Sequence, residues 1–218
     1  MNRRPMDTRK AGWASATAAM LARKGIKPNW LSLASVPSAL AGGGCFAALQ
    51  FASVLWLQIT LLVAGIACVC LRLFCNLFDG MVAVECGLKT SSGEIFNDFP
   101  DRLSDPLIMI GAGYCVGFAG PIAALGWVAG MLSVLTAYTR VLGSSTGSKH
   151  YYIGPMAKPH RMAVIVAAAL LSVGECVMGF RGYVFGGALI LVIAGCIITI
   201  TRRLGRIVKE LEQGDIDA

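Results

Sequence analysis

The chain has 218 residues, of which 56% are hydrophobic and only 14% are charged, and its mean hydropathy is +0.68. These values exclude an ordinary soluble domain and indicate an integral membrane protein. The formal net charge is +7, but the basic residues lie mainly at the ends of apolar segments, so we expect anionic lipid headgroups rather than nucleic acid as their partner.

The first 28 residues form a basic segment that lacks the apolar core and small-residue cleavage site of a signal peptide. Residues 7 to about 22 permit a helix on which Trp13, Met20 and Leu21 share a face. We expect an amphipathic interfacial helix on the membrane surface, with a disordered basic tail as the alternative.

Six apolar segments follow, each long enough for a transmembrane helix of roughly 20 residues. The predicted spans are residues 28–51, 55–85, 93–118, 121–142, 161–180 and 183–201. The second is longer than a bilayer requires, so its last two turns should project toward the aqueous side. We therefore predict an all-α integral membrane fold: one six-helix domain at residues 29–201 between the segment 1–28 and a cytoplasmic tail at 202–218.

Positive charge is unevenly distributed between the connections. The connections near residues 50, 119 and 181 carry almost none, whereas the N-terminus, the turn with Lys89, the loop with Lys149 and Lys158, and the tail with Arg202 are basic. The positive-inside rule then places both termini and the adjoining ends of the second and third spans in the cytoplasm. The predicted location is the inner membrane of a bacterial cell.

An acidic stretch at residues 76–105 joins the second and third spans, and it contains six of the twelve Asp and Glu residues. On the second helix Asn76 and Asp79 share a face, and on the third Asn97, Asp101 and Asp105 share another. A short turn can bring the two faces together. Their oxygens suit magnesium, manganese or calcium rather than zinc, because no thiolate or imidazole is appropriately spaced.

The spacing in this stretch carries a family resemblance. Its residues are Asn76-x2-Asp79-Gly80-x2-Ala83-Val84-x8-Gly93-x3-Asn97-x3-Asp101. They resemble the signature D-x2-D-G-x2-A-R-x8-G-x3-D-x3-D of the CDP-alcohol phosphotransferase (phosphatidyltransferase) family, with every gap kept. A P-N-x-L-S start at residues 28–32 and the six spans extend the likeness over nearly the whole chain. Asn76 and Asn97 depart from the signature by replacing aspartates, and Val84 departs by replacing the arginine.

The resemblance implies transfer of a phosphatidyl or related phosphoalcohol group from a CDP-linked donor, such as CDP-diacylglycerol, to an alcohol acceptor. Cytidine monophosphate (CMP) is released, two Mg²⁺ or Mn²⁺ ions bridge the diphosphate, and the protein forms a homodimer among membrane lipids. Carried over by position, Asp79 is a metal ligand and Asp101 is a metal ligand and the catalytic base. Asp79, Gly80, Ala83 and Gly93 line the CDP pocket.

The two amides remove negative charge but each keeps a carbonyl ligand, so ion affinity should fall while the geometry remains. Asn76 and Asn97 therefore stay candidate metal ligands. Asp98 and Asp105 are further candidates, because both lie within two turns of Asn97. Without the arginine at position 84, the net charge of the signature positions changes from −3 in the family to −2 here.

Several cations flank the acidic stretch. Arg140, Lys158 and Arg161 are candidates for binding the phosphate of the donor or the acceptor, although ordinary positive-inside flanking is the alternative. Arg72 lies one turn before Asn76 and is close enough in sequence to reach the same polar cavity.

Three functions are compatible with these residues. The first is a membrane transferase of phospholipid biosynthesis. The second is a catalytically inactive relative that binds a nucleotide, a lipid or a protein partner. The third, an ion transporter, is weaker because the acids lie at the ends of two spans rather than at the centres of several. The acceptor alcohol stays open between glycerol phosphate, inositol phosphate, serine, choline and another lipid.

Overall fold

The structure, a computed structural model, describes residues 12–85, 87–88, 91–148 and 151–216. Within those ranges the chain forms seven α-helices and no β-strand, which confirms the all-α prediction. The helices are α1 Gly12–Arg23, α2 Pro28–Ala48, α3 Leu55–Glu85, α4 Gly93–Gly113, α5 Pro121–Ser145, α6 Lys158–Val177 and α7 Tyr183–Ile216. The predicted start of the N-terminal helix, Lys89 and Lys149 lie outside the described residues.

Five of the described helices, α2, α3, α5, α6 and α7, are long and apolar enough to cross a membrane. The chain is therefore a multi-pass integral membrane protein. The third predicted span corresponds to α4, which has 21 residues. It is not among the five, and its sequence includes Asp98, Asp101, Arg102 and Asp105. The count of six spans stays a prediction.

Helices α2 to α7 pack as a closed ring in the spatial order α2, α4, α5, α7, α6, α3. At one end of the ring Ser32, near the start of α2, contacts Asp79, near the end of α3. At the other end Glu175 of α6 accepts a hydrogen bond from the backbone N–H of Tyr183 at the start of α7, with an N–O distance of 2.7 Å. The ends of the ring therefore differ in chemistry, and the acidic stretch belongs to the first.

Helix α2 lies close to both α3 and α4 because glycines remove side chains from the contacts. A Cβ atom at Gly42 would lie 3.2 Å from the Cβ of Cys68 on α3. A Cβ at Gly43 would overlap the carbonyl oxygen of Leu107 on α4, and Gly111 of α4 meets Gly43 in the same way. This packing fixes the positions of α3 and α4 on either side of α2.

Two helices are longer than a bilayer requires. With 31 residues, α3 is about 46 Å long, against a hydrocarbon core of roughly 30 Å. Asp79 lies in its last two turns, where the sequence predicts projection toward water. Helix α7 has 34 residues and continues to Ile216, so most of the predicted tail at 202–218 is helical.

Helix α1 packs against α3 through Ala14 and Ala18, which are fully buried beside Leu77 and Phe78. The sequence predicted a shared face of Trp13, Met20 and Leu21, whereas the fully buried residues of α1 are these two alanines. Their small side chains let α1 approach α3 closely. The rings of Trp13 and Phe78 also meet in a T-shaped contact with a centroid distance of 6.3 Å. Whether α1 lies at a membrane interface stays a prediction.

The glycine contact between α2 and α4 gives a stability test. We expect Gly43→Ala to lower the free energy of unfolding by about 1–3 kcal/mol relative to Gly44→Ala, because the new methyl group overlaps α4. Gly44→Ala is the matched control, because it changes the helix propensity by the same amount. A Cβ at Gly44 meets no atom within 4 Å. Unfolding of both variants in detergent, followed by circular dichroism, provides the measurement. Equal stabilities would contradict the close approach.

Candidate functional site

Three carboxylates are buried inside the ring, at the end where α3 terminates and α4 and α6 begin. The exposed fractions are 2% for Asp79, 6% for Asp101 and 3% for Asp105. Asp101 and Asp105 lie one turn apart on α4, as the four-residue spacing predicts, and Asp79 comes from α3. A buried carboxylate is costly unless it is paired, so each of these side chains requires partners.

Asp79 links three helices. Its Oδ2 accepts a hydrogen bond from Oγ of Ser32 on α2 at 2.5 Å, and its Oδ1 lies 3.4 Å from Nδ2 of Asn97 on α4. The structure thus brings together the two halves of the acidic stretch. Ser32 is absent from the residues predicted for the site. The sequence feature that could have indicated this role is the P-N-x-L-S segment at residues 28–32, of which Ser32 is the last residue.

Three cations pair with the other two carboxylates. Nη2 of Arg72 on α3 donates to Oδ1 of Asp101 at 3.2 Å and also to Oδ1 of Asp105. Lys158, the first residue of α6, donates to Oδ2 of Asp101. One turn later, Nη2 of Arg161 donates to Oδ2 of Asp105 at 2.5 Å. All four oxygens of Asp101 and Asp105 are therefore engaged.

The segment before α6 fixes where Lys158 and Arg161 lie. The backbone N–H of Met156 donates to Oγ1 of Thr199 on α7 at 3.0 Å, and Nη1 of Arg161 donates to the carbonyl oxygen of Met156 at 3.1 Å. Gly154 has a φ of +119°, and a Cβ there would overlap Thr199. Glycine therefore lets this loop lie directly on α7.

Several buried polar atoms in and beside the site have no hydrogen-bond partner within the described part of the chain. They include both amide atoms of Asn76, Nε and Nη1 of Arg72, and Nε of Arg161. Asn76 lies three residues before Asp79 on the same helical face. Buried polar atoms are normally paired, so these groups supply hydrogen-bonding capacity that an ion, a polar ligand or water would satisfy.

The oxygen donors on α3 and α4 fit a divalent ion of the magnesium or manganese type. Asp79 supplies a carboxylate, and Asn76 and Asn97 can each supply an amide carbonyl, which are hard ligands. Among the described residues, no group of three or more His, Cys, Asp and Glu side chains could hold a metal ion. An ion at this position would therefore depend on the two amides.

Asp98 and Arg140 lie at the rim and pair with each other. The Asp98 side chain is 39% exposed, and its oxygens accept from Arg140 at 2.7 Å and from Arg102 at 2.6 Å. The guanidinium of Arg140 also lies 5.7 Å from the ring centroid of Tyr152. Asp98, predicted as a metal ligand, and Arg140, predicted as a phosphate ligand, are therefore paired with each other in this structure.

The remaining signature positions lie along the two helices that carry the acids. Gly80 is buried next to Asp79, Ala83 is half-buried one turn later, and Gly93 is the first residue of α4. Val84, where the family signature has arginine, is exposed.

No protein-family model matches the sequence, and comparison with curated proteins gives no match. Solved structures do match. The Mycobacterium tuberculosis phosphatidylinositol phosphate synthase (PgsA1) with CDP-DAG bound gives a TM-score of 0.73 at 20% identity, covering 90% of this chain and 94% of that chain. The chain has the fold of this synthase.

Two further structures of the synthase agree. The complex with manganese and citrate has a TM-score of 0.71 at 19% identity, and covers 89% of this chain and 88% of that one. The apo form gives 0.69 at 20% identity, with 87% and 93% covered. At this identity the likeness establishes the synthase fold alone.

The buried pairing of Arg72 predicts a large loss of stability when that side chain is removed. We expect Arg72→Met to lower the free energy of unfolding by about 3–5 kcal/mol, because Asp101 and Asp105 both lose a partner in a buried environment. Arg102→Met is the matched control, since its partner Asp98 is partly exposed and such pairs contribute about 1 kcal/mol or less. Thermal unfolding of both variants in detergent tests this, and equal losses would refute the buried pairing.

Proposed function

We propose that the protein is a membrane phosphotransferase of phospholipid biosynthesis. It moves a phosphatidyl or related phosphoalcohol group from a CDP-linked donor to an alcohol acceptor and releases CMP. The contact between Asp79 of α3 and Asn97 of α4 carries this proposal, because it joins both halves of the signature-like spacing in one buried site. A structure of a synthase with this fold has CDP-DAG bound, which supports the same donor class here.

Asp79, Asn76 and Asn97 are the residues that would hold Mg²⁺ or Mn²⁺. When bound, such an ion neutralises negative charge on the diphosphate of the donor. The synthase complex with manganese and citrate supports this class of ion. Ser32 orients the carboxylate of Asp79 by its hydrogen bond, and Gly80 adds no side chain beside that carboxylate, so the donor can come close to it.

Asp101 is the proposed base. The acceptor oxygen attacks the phosphorus that carries the lipid alcohol, the bond from this phosphorus to the CMP oxygen breaks, and the hydroxyl proton passes to Asp101. Oδ2 of Asp101 is paired with Lys158, whose side chain is 28% exposed, so the hydroxyl can replace a flexible partner. Arg72 is fully buried and keeps Oδ1 of Asp101 in place.

The cations around the carboxylates are proposed to bind phosphate. Lys158 has solvent access and is released when Asp101 turns to the acceptor, so it is placed to meet a phosphate oxygen. Arg161 and Arg140 are further phosphate ligands in this proposal. Ala83 and Gly93, with Asp79 and Gly80, line the pocket for the CDP group.

We assign the acidic end of the ring to the cytoplasmic side of a bacterial inner membrane, with α4 completing six spans and both termini on the same side. The basis is positive charge: Arg140, Lys158 and Arg161 lie at this end, whereas Arg181 lies at the other, where it donates to the carbonyl oxygen of Leu49. The donor then enters laterally from the lipid, and the acceptor enters from the cytoplasm. We also propose a homodimer.

A second candidate is an inactive relative that binds a nucleotide, a lipid or a protein partner. The observation that favours it is the engagement of both Asp101 oxygens by cations, together with the two amides in place of carboxylates. Such a protein would bind the donor without turnover.

Release of CMP by the purified protein decides between these candidates. With CDP-diacylglycerol, Mg²⁺ or Mn²⁺ and a panel of alcohols, we expect CMP to form, and Asp79→Ala and Asp101→Ala to abolish its formation. Glu212→Gln is the control, because Glu212 is exposed near the end of α7. Donor binding without CMP release for every alcohol would refute the transferase and support the inactive relative.

Removal of the Ser32 hydroxyl tests how Asp79 is held. We expect Ser32→Ala to lower kcat/KM roughly 10- to 100-fold, since a hydrogen bond to a charged group contributes about 1.5–3 kcal/mol. Ser32→Thr keeps a hydroxyl and should restore much of the loss. Ser38→Ala on the same helix is the control, because Ser38 is exposed and its hydroxyl donates to the carbonyl oxygen of Ala34 in its own helix. Equal rates for Ser32→Ala and Ser38→Ala would contradict this role.

A further inference from the structure

We propose that this site binds a single divalent ion, and that the buried guanidinium of Arg72 permanently takes the place of the second ion that the family resemblance implies. The inference rests on the proposed function, because it concerns how the same site accommodates the diphosphate of the donor. It is carried by the contacts of Arg72 and by the chemistry of Asn76 and Asn97.

The supply of ligands falls short of two ions. Two-ion sites hold their metals about 3.5–4 Å apart between several carboxylates. Of the four signature positions that carry aspartate in the family, Asp79 and Asp101 are carboxylates here and Asn76 and Asn97 are neutral amides. Oδ1 of Asp101 is held by the buried Arg72, and Oδ2, which pairs with Lys158, is the oxygen proposed to take the proton of the acceptor. One carboxylate and two amide carbonyls remain, which together suit one ion completed by phosphate oxygens and water.

Arg72 cannot leave its position to make room for a second ion. Its side chain is 0% exposed, and its Nη2 lies between Asp101 and Asp105. The other oxygen of Asp105 is held by Arg161. Displacing Arg72 would remove one of the two cationic partners from each of these buried carboxylates, and an ion placed beside Arg72 would be repelled. The position next to Asp101 on α4 is therefore filled by a fixed cation.

The charges in the site favour the same stoichiometry. The charges of Asp79, Asp101 and Asp105 are matched by the buried Arg72 and Arg161 and the partly exposed Lys158, so the site as a whole is neutral. A diphosphate diester carries roughly two negative charges, which one divalent ion neutralises. A second ion would leave two uncompensated positive charges in a buried site, which is unfavourable.

Arg72 also has donors to replace the lost metal contacts. Its Nε and Nη1 are buried and have no hydrogen-bond partner among the residues that the structure describes. Guanidinium N–H groups bind phosphate oxygens well, often in pairs. Donation from Nε and Nη1 to the donor's diphosphate would satisfy these atoms and neutralise the phosphate that a second ion would otherwise contact.

Manganese stoichiometry on the full-length protein in detergent tests the inference. Mn²⁺ is titrated with CDP-diacylglycerol present and no acceptor, and bound ions are counted by electron paramagnetic resonance. We expect one Mn²⁺ per chain, without the exchange coupling of a close pair. Two ions per chain, or none, would overturn the inference.

CMP release from the same preparation is measured separately. One bound ion per chain without CMP release would refute only the transferase function. Two bound ions per chain with CMP release would refute only the single-ion site.

Variants separate the effect of Arg72 from that of the amides. Asn76→Asp with Asn97→Asp restores the four carboxylates, and we expect one ion still, bound more tightly, because Arg72 remains. Adding Arg72→Met should give two ions with a coupled spectrum. Arg181→Met, at the opposite end of the ring, is the control and should keep one ion. If the triple variant fails to fold, the double variant decides, since two coupled ions there would refute the role of Arg72.

Discussion

The buried guanidinium of Arg72 is the interaction on which the rest of the site depends. The four-residue spacing of α4 aims Asp101 and Asp105 at the interior of the ring, where carboxylates without partners would be strongly unfavourable. Arg72 contacts both of them from α3, and Lys158 and Arg161 occupy their remaining oxygens. The acidic face of α4 is therefore compatible with the fold because α3 and α6 each bring cations to it.

This arrangement requires a helix that contributes no charge to the site. Helices α3 and α4 pack chiefly against α2 rather than against each other, and the glycines of α2 let both approach its backbone. The space between α3 and α4 is thus left to polar side chains, which meet where Asp79 approaches Asn97. Ser32 adds a hydroxyl from α2 at the same point. The close packing at the glycines of α2 therefore fixes the positions of α3 and α4, and with them the polar contacts near Ser32 at the start of α2.

What the sequence could predict was local. The starts of five spans coincide with the observed helix starts, because Pro or Gly and polar turns mark where a helix can begin. The end of α7 could not be placed from hydropathy, since polar residues after Thr201 continue the helix beyond the apolar run. Spacing within one helix predicted the shared faces of the acidic stretch. The contact of Ser32 with Asp79, 47 residues apart, depends on the order of helices in the ring, which no local pattern reveals.

The substitutions in the signature and the buried cations form one electrostatic system. In the proposed diphosphate site, amides at Asn76 and Asn97 instead of the two aspartates of the resembled signature would by themselves leave too little negative charge to hold two ions. Under our proposal Arg72, on α3 with Asn76, takes the place of the second ion, and it does so without depending on ion concentration. Arg72 in turn requires Asp105, which lies outside the eight signature positions yet neutralises the added guanidinium. The amides, the arginine and the extra aspartate are therefore best understood together, since each would be unfavourable in this site without the others.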